Sequence, residues 1–270
     1  MNLGKIGVWR LERERSDVVA EIEALGYGAL WVGGSPTPAQ IRPFLEQSGS
    51  LPIATGIVNV WRVDAADAAA ERAELERDFP GRFLLGIGIG HPEATREYDT
   101  PLRTMRAYFD ALDAAGVPRE AMVAAALGPK MLRLAAERSL GTHPYFSPPE
   151  HTRFARETVG PGALVAPELA VVVEPDETDA RAIAREYAAG YLTRSNYTRN
   201  LLRFGYTEAD FADGGSDRLI DTIVPHGSAE AIAEHVHAHL DAGADHVCLQ
   251  PLGHGPAPLD DYRALAAVLL

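Results

Sequence analysis

The 270 residues contain a single cysteine, Cys248, so no internal disulfide can form and no second thiol completes a redox pair. Cys248 sits in the apolar run HVCL, which predicts a buried, inert thiol and not a nucleophile. Long apolar runs are missing as well. No segment approaches the roughly 18 uninterrupted apolar residues of a membrane span, and the opening MNLGKIGVW lacks the apolar core of a secretory leader. The expectation is a soluble, cytoplasmic protein with no membrane partner. Positive charge is scarce: 25 Lys and Arg face 38 Asp and Glu, a net charge of −13 with no basic run to offset it. Such a chain repels nucleic acid and anionic membranes, which leaves a small molecule as the expected ligand. No G-x-S-x-G elbow, Walker loop or HExxH occurs, so nothing here supports acyl transfer, nucleotide hydrolysis or a zinc site. Neither low-complexity tract nor linker divides the sequence, and one domain over 1–270 is expected.

What the chain does have is alternation. Leu51 to His91 reads as strand, helix, strand: LPIATGIVNV, a helix capped by Asp64, then RFLLGIGIGH. Both strands are near-continuous Val, Ile, Leu and Ala, the pattern of parallel strands buried on both faces, and both end in small or polar residues. Further strand-like runs are Lys5–Trp9, Ala29–Gly34, Ala121–Leu127, Gly141–Phe146, Glu168–Val173 and Asp245–Gln250. Between them fall helical patterns over Ser16–Leu25, Thr37–Glu46, a segment opened by Pro101, one opened by Pro129, Glu177–Tyr187, a Ser228-capped helix, and Pro258–Leu270. Eight strands alternating with helices predict an α/β fold, a (β/α)8 TIM barrel, with an insertion at 190–227 before the last helix and strand. A doubly wound open sheet is the alternative. In either architecture ligands bind at the carboxyl ends of the strands.

Three motifs fall at those ends. GIGIG (Gly86–Gly90) has His91 where a dinucleotide fingerprint needs its third glycine. Its glycines either let the strand end curl or leave bare backbone for a flat ring. ALGPKML (Ala126–Leu132) puts free amides at a helix start beside Gly128 and Lys130, a geometry that suits a phosphate but is also common with nothing bound. HPYFSPPEH gathers His143 and Tyr145, either of which could donate a proton or simply be hydrogen-bonded at a rim. His235, His237 and His239 read as solvent-side residues of one helix, and the carboxylates Glu71, Glu74 and Glu76 as a solvated helix face.

TGIVNV, RFLLGIGIG, ALGPKMLRLAAERSLGTHPYFSPPEHT and GADHVCLQ, in that order, resemble the bacterial-luciferase-like superfamily, specifically its branch dependent on the deazaflavin coenzyme F420. The resemblance runs from about Lys5 to Gln250 and implies a luciferase-like barrel with a planar redox ring over the strand ends. It implies a non-prolyl cis peptide at Gly56–Ile57 behind the ring, ring contacts from Asn59, Ile89 and Gly90, and a phosphate held by Leu127, Gly128, Lys130 and Met131. Two departures stand out. The Asp-His that ends the second strand in sugar-phosphate dehydrogenases of the family is Gly33 and Gly34 here, and the acidic residue after strand four is His91. The implied activity is an F420-dependent oxidoreductase moving a hydride between the cofactor and a small substrate. An FMN monooxygenase, a cofactor-binding protein without turnover and a phosphate-binding isomerase or lyase are the alternatives. His91 is the first candidate for proton transfer and His143 the second. Trp9, Trp61, Tyr145, Asn196 and Tyr197 are expected to wall the substrate pocket, no metal is expected, and a homodimer is the default assembly.

Overall fold

In the computed structural model, which describes residues 1–11, 18–91, 93, 100–253, 255 and 258–270, one sheet of ten short parallel strands forms the centre. These are β1 (Ile6–Leu11), β2 (Leu30–Gly33), β3 (Ile53–Thr55), β4 (Val58–Asn59), β5 (Phe83–Gly88), β6 (Met122–Ala124), β7 (Gly141–Thr142), β8 (Leu164–Val165), β9 (Glu168–Val171) and β10 (Val247–Pro251). Their order is β8-β7-β6-β5-β3-β2-β1-β10-β9, with β4 also on β5. Two of the breaks are interruptions within one run of chain. β3 and β4 are separated only by the cis peptide Gly56–Ile57, and β8 and β9 only by Ala166 and Pro167.

The second interruption closes the ring. On one side the run 164–171 pairs with β7 and continues through Ala166 N–H to Thr142 O and Glu168 N–H to Pro144 O, each 2.9 Å. On its other side it receives Cys248 N–H at Pro167 O (3.0 Å) and pairs with β10. Eight strand positions therefore make a closed (β/α)8 barrel, as expected.

Strand periodicity sorts the apolar residues into two layers. Val8, Leu30, Ile53, Phe83, Leu85, Met122 and Val247 pack outward beneath the helices. Their neighbours Trp9, Trp31, Ala54, Leu84, Val123 and Cys248 form a separate cluster that fills the barrel. Trp31 blocks the middle: its Nε1–H donates to His246 Nε2 at 3.1 Å, and its ring stacks on His143 at 4.2 Å. The open space lies above that plug, at the carboxyl ends. Cys248 is wholly buried, and burial pushes its thiol up, so it is the inert side chain expected.

The helices are α1 (Val19–Ala24), α2 (Arg42–Glu46), α3 (Ala65–Asp78), α4 (Pro101–Ala114), α5 (Pro129–Arg138), α6 (Pro149–Val159), α7 (Glu177–Leu192), α8 (Ser195–Arg203), α9 (Asp217–Ile223), α10 (Ala229–Asp241) and α11 (Leu259–Leu269). The caps follow the sequence: Asp64 accepts from Ala66 N–H, Asp176 from Thr178 and Asp179 N–H, and Ser228 from Ala231 N–H. The insertion contains α8, a 3-10 segment and α9, and it packs on α7 through a core of its own built on Ala184, Ala188, Leu201, Leu219 and Ile223. Among the described residues no helix is long and apolar enough to cross a membrane.

Three expectations change, and one falls partly outside the described residues. The sixth strand ends at Thr142 and not Phe146, because Pro144 has no amide for the ladder and Phe146 turns to φ +52°. The helix expected over Thr37–Glu46 is a 3-10 turn, Pro38–Ile41, followed by α2. The helix expected over Ser16–Leu25 is described as α1 from Val19, and its expected start, Ser16 and Asp17, lies outside the described residues. His239 is not on the solvent side: it is fully buried, 2.8 Å from Thr152 Oγ1, because α10 lays that face on α6.

Candidate active site at the carboxyl ends of the strands

A cavity of about 500 Å³ opens where the strands end. Its floor is the cis Gly56–Ile57 bond, Asn59, Ile89 and Gly90, and one side is the turn Ala125–Gly128 with Met131. The structure brings Trp9, His91, His143, Tyr145, Asn196 and Tyr197 to the same cavity. Two expected residues are elsewhere. Lys130 is exposed on α5 and does not line the cavity, since the helix start turns its side chain to solvent. Trp61 sits behind the floor, its Nε1–H donating to Ile89 O at 2.8 Å.

Glycine has two separate uses in GIGIG. A Cβ on Gly86 would lie 1.8 Å from Thr55 O, and one on Gly88 2.9 Å from Ile57 Cγ1, so both are required by the close approach of neighbouring strands. Only Gly90, at φ +65°, reaches the cavity. Gly128 differs: a Cβ there would meet nothing within 4 Å. It caps α5 with no side-chain bond to the first-turn amides, so the Lys130 and Met131 N–H groups lack a capping side chain at the cavity edge. Gly33 explains one departure from the family pattern: a Cβ there would fall 1.8 Å from Trp9 Cζ2, so the indole already fills that space.

Buried polar atoms without protein partners collect on this wall. Trp9 Nε1, His143 Nε2 and Asn200 Nδ2 are all buried and unsatisfied. In a native interior such atoms call for a ligand or water. A Cβ on Gly56 would be 2.8 Å from Trp9 Nε1 and 3.1 Å from His143 Nε2, so these two atoms converge on one point of the floor. His143 gives its Nδ1–H to Ala166 O at 2.7 Å, and burial holds its pKa down to about 4. At neutral pH it therefore presents a lone pair and no proton.

His91 is half-buried on the loop after β5. Its Nδ1 lies 3.1 Å from Asn196 Oδ1, an acceptor, which leaves Nε2 as the unprotonated nitrogen of the neutral ring. Burial, then the nearby Arg194, keep its pKa below the usual imidazole value; Asn196 and Glu93 oppose them. The same loop is tied to α8 a second time, where Glu93 accepts from Ser195 N–H at 2.9 Å.

Arg62, Arg194, Arg199 and Arg203 also line the cavity, and none forms an ion pair with a described carboxylate. Sequence reading passed over them. The available signal was local: Tyr187 to Thr207 contains three arginines and no acidic residue, in a chain where acids dominate. Tyr191 was missed for a similar reason, because nothing in α7's pattern shows which of its tyrosines reaches the cavity. Among the described residues no group of three or more His, Cys, Asp or Glu could hold a metal ion.

The sequence model of the luciferase-like monooxygenases matches residues 13–246. No curated protein matches the chain. Among solved structures, an F420-dependent secondary alcohol dehydrogenase in complex with an F420-acetone adduct superimposes with a TM-score of 0.76 over 98% of both chains at 15% identity. The coenzyme F420 dependent tetrahydromethanopterin reductase from Methanopyrus kandleri gives 0.72 over 97% of both at 14%. The oxygenating constituent of 3,6-diketocamphane monooxygenase from Pseudomonas putida, in complex with FMN, gives 0.70 over 99% of both at 15%. At these identities the likeness is one of fold.

Proposed function

This chain belongs to the luciferase-like monooxygenase family, and we propose that within it the protein is an F420-dependent oxidoreductase that transfers a hydride between the deazaflavin and a small organic substrate. The observation that carries the reading is the bare floor, Gly56–Ile57 and Ile89–Gly90, beneath two unsatisfied buried nitrogens and beside an open helix start at Gly128. These residues fit a flat heterocycle with an anionic tail. Gly56, Ile57, Asn59, Ile89 and Gly90 would take the ring face. Trp9 Nε1–H would donate to its heteroatoms and His143 Nε2 would accept from them. Leu127, Gly128 and the Lys130 and Met131 amides would hold the phosphate. A bound deazaflavin supplies two-electron hydride chemistry at C5.

The chain's own residues do the rest. Trp9, Tyr145, Asn196 and Tyr197 orient the substrate and exclude water from the floor. His91 Nε2, unprotonated at neutral pH, takes up the proton that a substrate hydroxyl releases on oxidation. Asn196 holds the Nδ1–H, which fixes the tautomer. The arginine rim favours F420 over FMN: F420 carries a phosphodiester and carboxylates, FMN a single phosphate, and four guanidinium groups without a carboxylate partner among the described residues suit the more anionic tail. An FMN-dependent monooxygenase is the second reading, favoured by the fold likeness to the FMN-bound oxygenase.

A titration of the ligand-free protein with F420 and, separately, FMN decides between them. Micromolar F420 binding with FMN at least about tenfold weaker is expected; tight binding of FMN alone overturns the proposal. Binding of F420 without hydride exchange to any aldehyde, ketone or enone would make the protein a carrier and not an enzyme.

A further inference from the structure

Behind the cavity wall lies a carboxyl that the reading above does not use. Glu168, at the start of β9, is 1% exposed and pairs with no cation among the described residues. Its Oε2 accepts from Phe146 N–H at 3.3 Å, and its Oε1 lies 3.4 Å from Tyr187 Oη. Tyr187 Oη is 2.9 Å from Tyr145 Oη, which is 3.0 Å from Tyr191 Oη and 2.9 Å from Gln250 Oε1. Tyr145 and Tyr191 line the cavity. Four oxygen-bearing groups thus run unbroken from a sealed carboxyl to the site.

We propose that Glu168 is an internal proton store and that Tyr187, Tyr145 and Tyr191 relay its proton to the cavity. Gln250 Oε1 can only accept, so the Tyr145 proton rests on it, and the relay runs when that hydroxyl turns to Tyr191 and the carboxyl supplies the first proton. Glu168 donates to Tyr187 Oη, Tyr187 to Tyr145, Tyr145, released from Gln250 Oε1, to Tyr191, and Tyr191 to the substrate atom. Every phenol gains one proton and loses one, so all three end neutral. Glu168 ends as a carboxylate hydrogen-bonded by Tyr187 and Phe146 N–H, and solvent or product in the cavity restores its proton by the reverse path.

The surroundings agree. Burial raises the Glu168 pKa to about 8 against the pull of the Phe146 amide and the Tyr187 hydroxyl, so the acid is protonated at neutral pH. The groups facing it are Tyr187 and Tyr191 from α7, Tyr145 from the loop after β7, Tyr197 from α8 and Cys248 from β10, all raised by burial and all neutral. The two cavity histidines are unprotonated at that pH, so they are set to accept and Glu168 to give. That the proton meets a substrate rests on the oxidoreductase reading; the store and the relay do not.

Infrared spectroscopy of the ligand-free protein tests the store and relay directly. Wild type at pH 6 should show a protonated-carboxyl C=O band that fades as the pH passes about 8 and that Glu168→Gln removes, Gln keeping the bond from the Phe146 amide. On mixing with D2O the band should shift quickly in wild type and in Tyr27→Phe, a buried tyrosine outside the chain, but at least about tenfold more slowly in Tyr187→Phe and Tyr145→Phe. No such band in wild type, or equal exchange in all the tyrosine variants, overturns the relay. Failure to bind F420 with the band and its slowed exchange intact overturns the oxidoreductase reading alone.

Discussion

Lowering the pH from 6.5 to 5 should remove about 4.5 kcal/mol of this protein's stability, because four histidines are folded away as neutral rings. Burial is the first cause in each: His143, His151 and His246 are held down to about 4, and His239 to about 3. In the unfolded chain all four return to about 6.5. Below that value the unfolded state binds more protons than the folded one, so their contribution is whole above pH 6.5 and is lost as the pH falls toward the folded values. At pH 6.5 the unfolded rings are already half protonated, which costs about 0.4 kcal/mol each, and at pH 5 the cost is about 2, so the interval removes about 1.6 per ring and about 6.4 for the four. Glu168 acts in the opposite sense. Its folded pKa of about 8 lies above the unfolded value, so stability returns as the pH falls, about 2 kcal/mol over the same interval. The histidines win. A net loss of about 4.5 kcal/mol is a large share of the whole stability of an ordinary domain, about 5–15 kcal/mol. Urea unfolding at half-unit steps, with the slope m constant, measures it. A free energy that stays flat within about 1 kcal/mol would mean that these rings are not neutral or not buried, and the reasoning fails.

Between pH 6.5 and 8 the four histidines add about 1.6 kcal/mol in either protein, while Glu168 removes about 2 from wild type alone, so paired urea curves should show Glu168→Gln gaining about 2 kcal/mol relative to wild type. Gly86→Ala should destabilise the fold by about 3 kcal/mol or more, since its Cβ would sit 1.8 Å from Thr55 O in a packed wall; an unchanged urea midpoint would contradict this. Gly128→Ala should leave that midpoint unchanged but weaken F420 binding about tenfold, whereas Lys130→Ala should shift it less than about threefold, because only Gly128 lines the cavity.

Much of the barrel is legible in the sequence because its signals are local. Strands buried on both faces must be apolar throughout, so β1, β2, β5 and β10 announce themselves, and Asp64, Asp176 and Ser228 mark helix starts by a bond made within three residues. The floor is readable for the same reason: Gly56, Gly90 and Gly128 matter as backbone. What escapes depends on distant partners. His239 looks like one of three alternating surface histidines until α6 covers it, with Thr152 lying 87 positions earlier in the chain. Glu168 looks like a polar strand start, and only the arrival of α7 and the Tyr145 loop seals it. The arginine rim needs α8 to fold back over the barrel before its charges meet one space.

That short helix has a consequence of its own. Asn196, Tyr197, Arg199, Asn200 and Arg203 all reach the cavity from α8, which belongs to the insertion and contributes nothing to the ring of strands. The cavity floor and the wall over it thus come from separate parts of the molecule. Replacing the nine residues 195–203 would rebuild that wall, including the Asn196 contact to His91 and two of the four arginines, while the floor of Gly56, Ile57, Ile89 and Gly90 stays as it is.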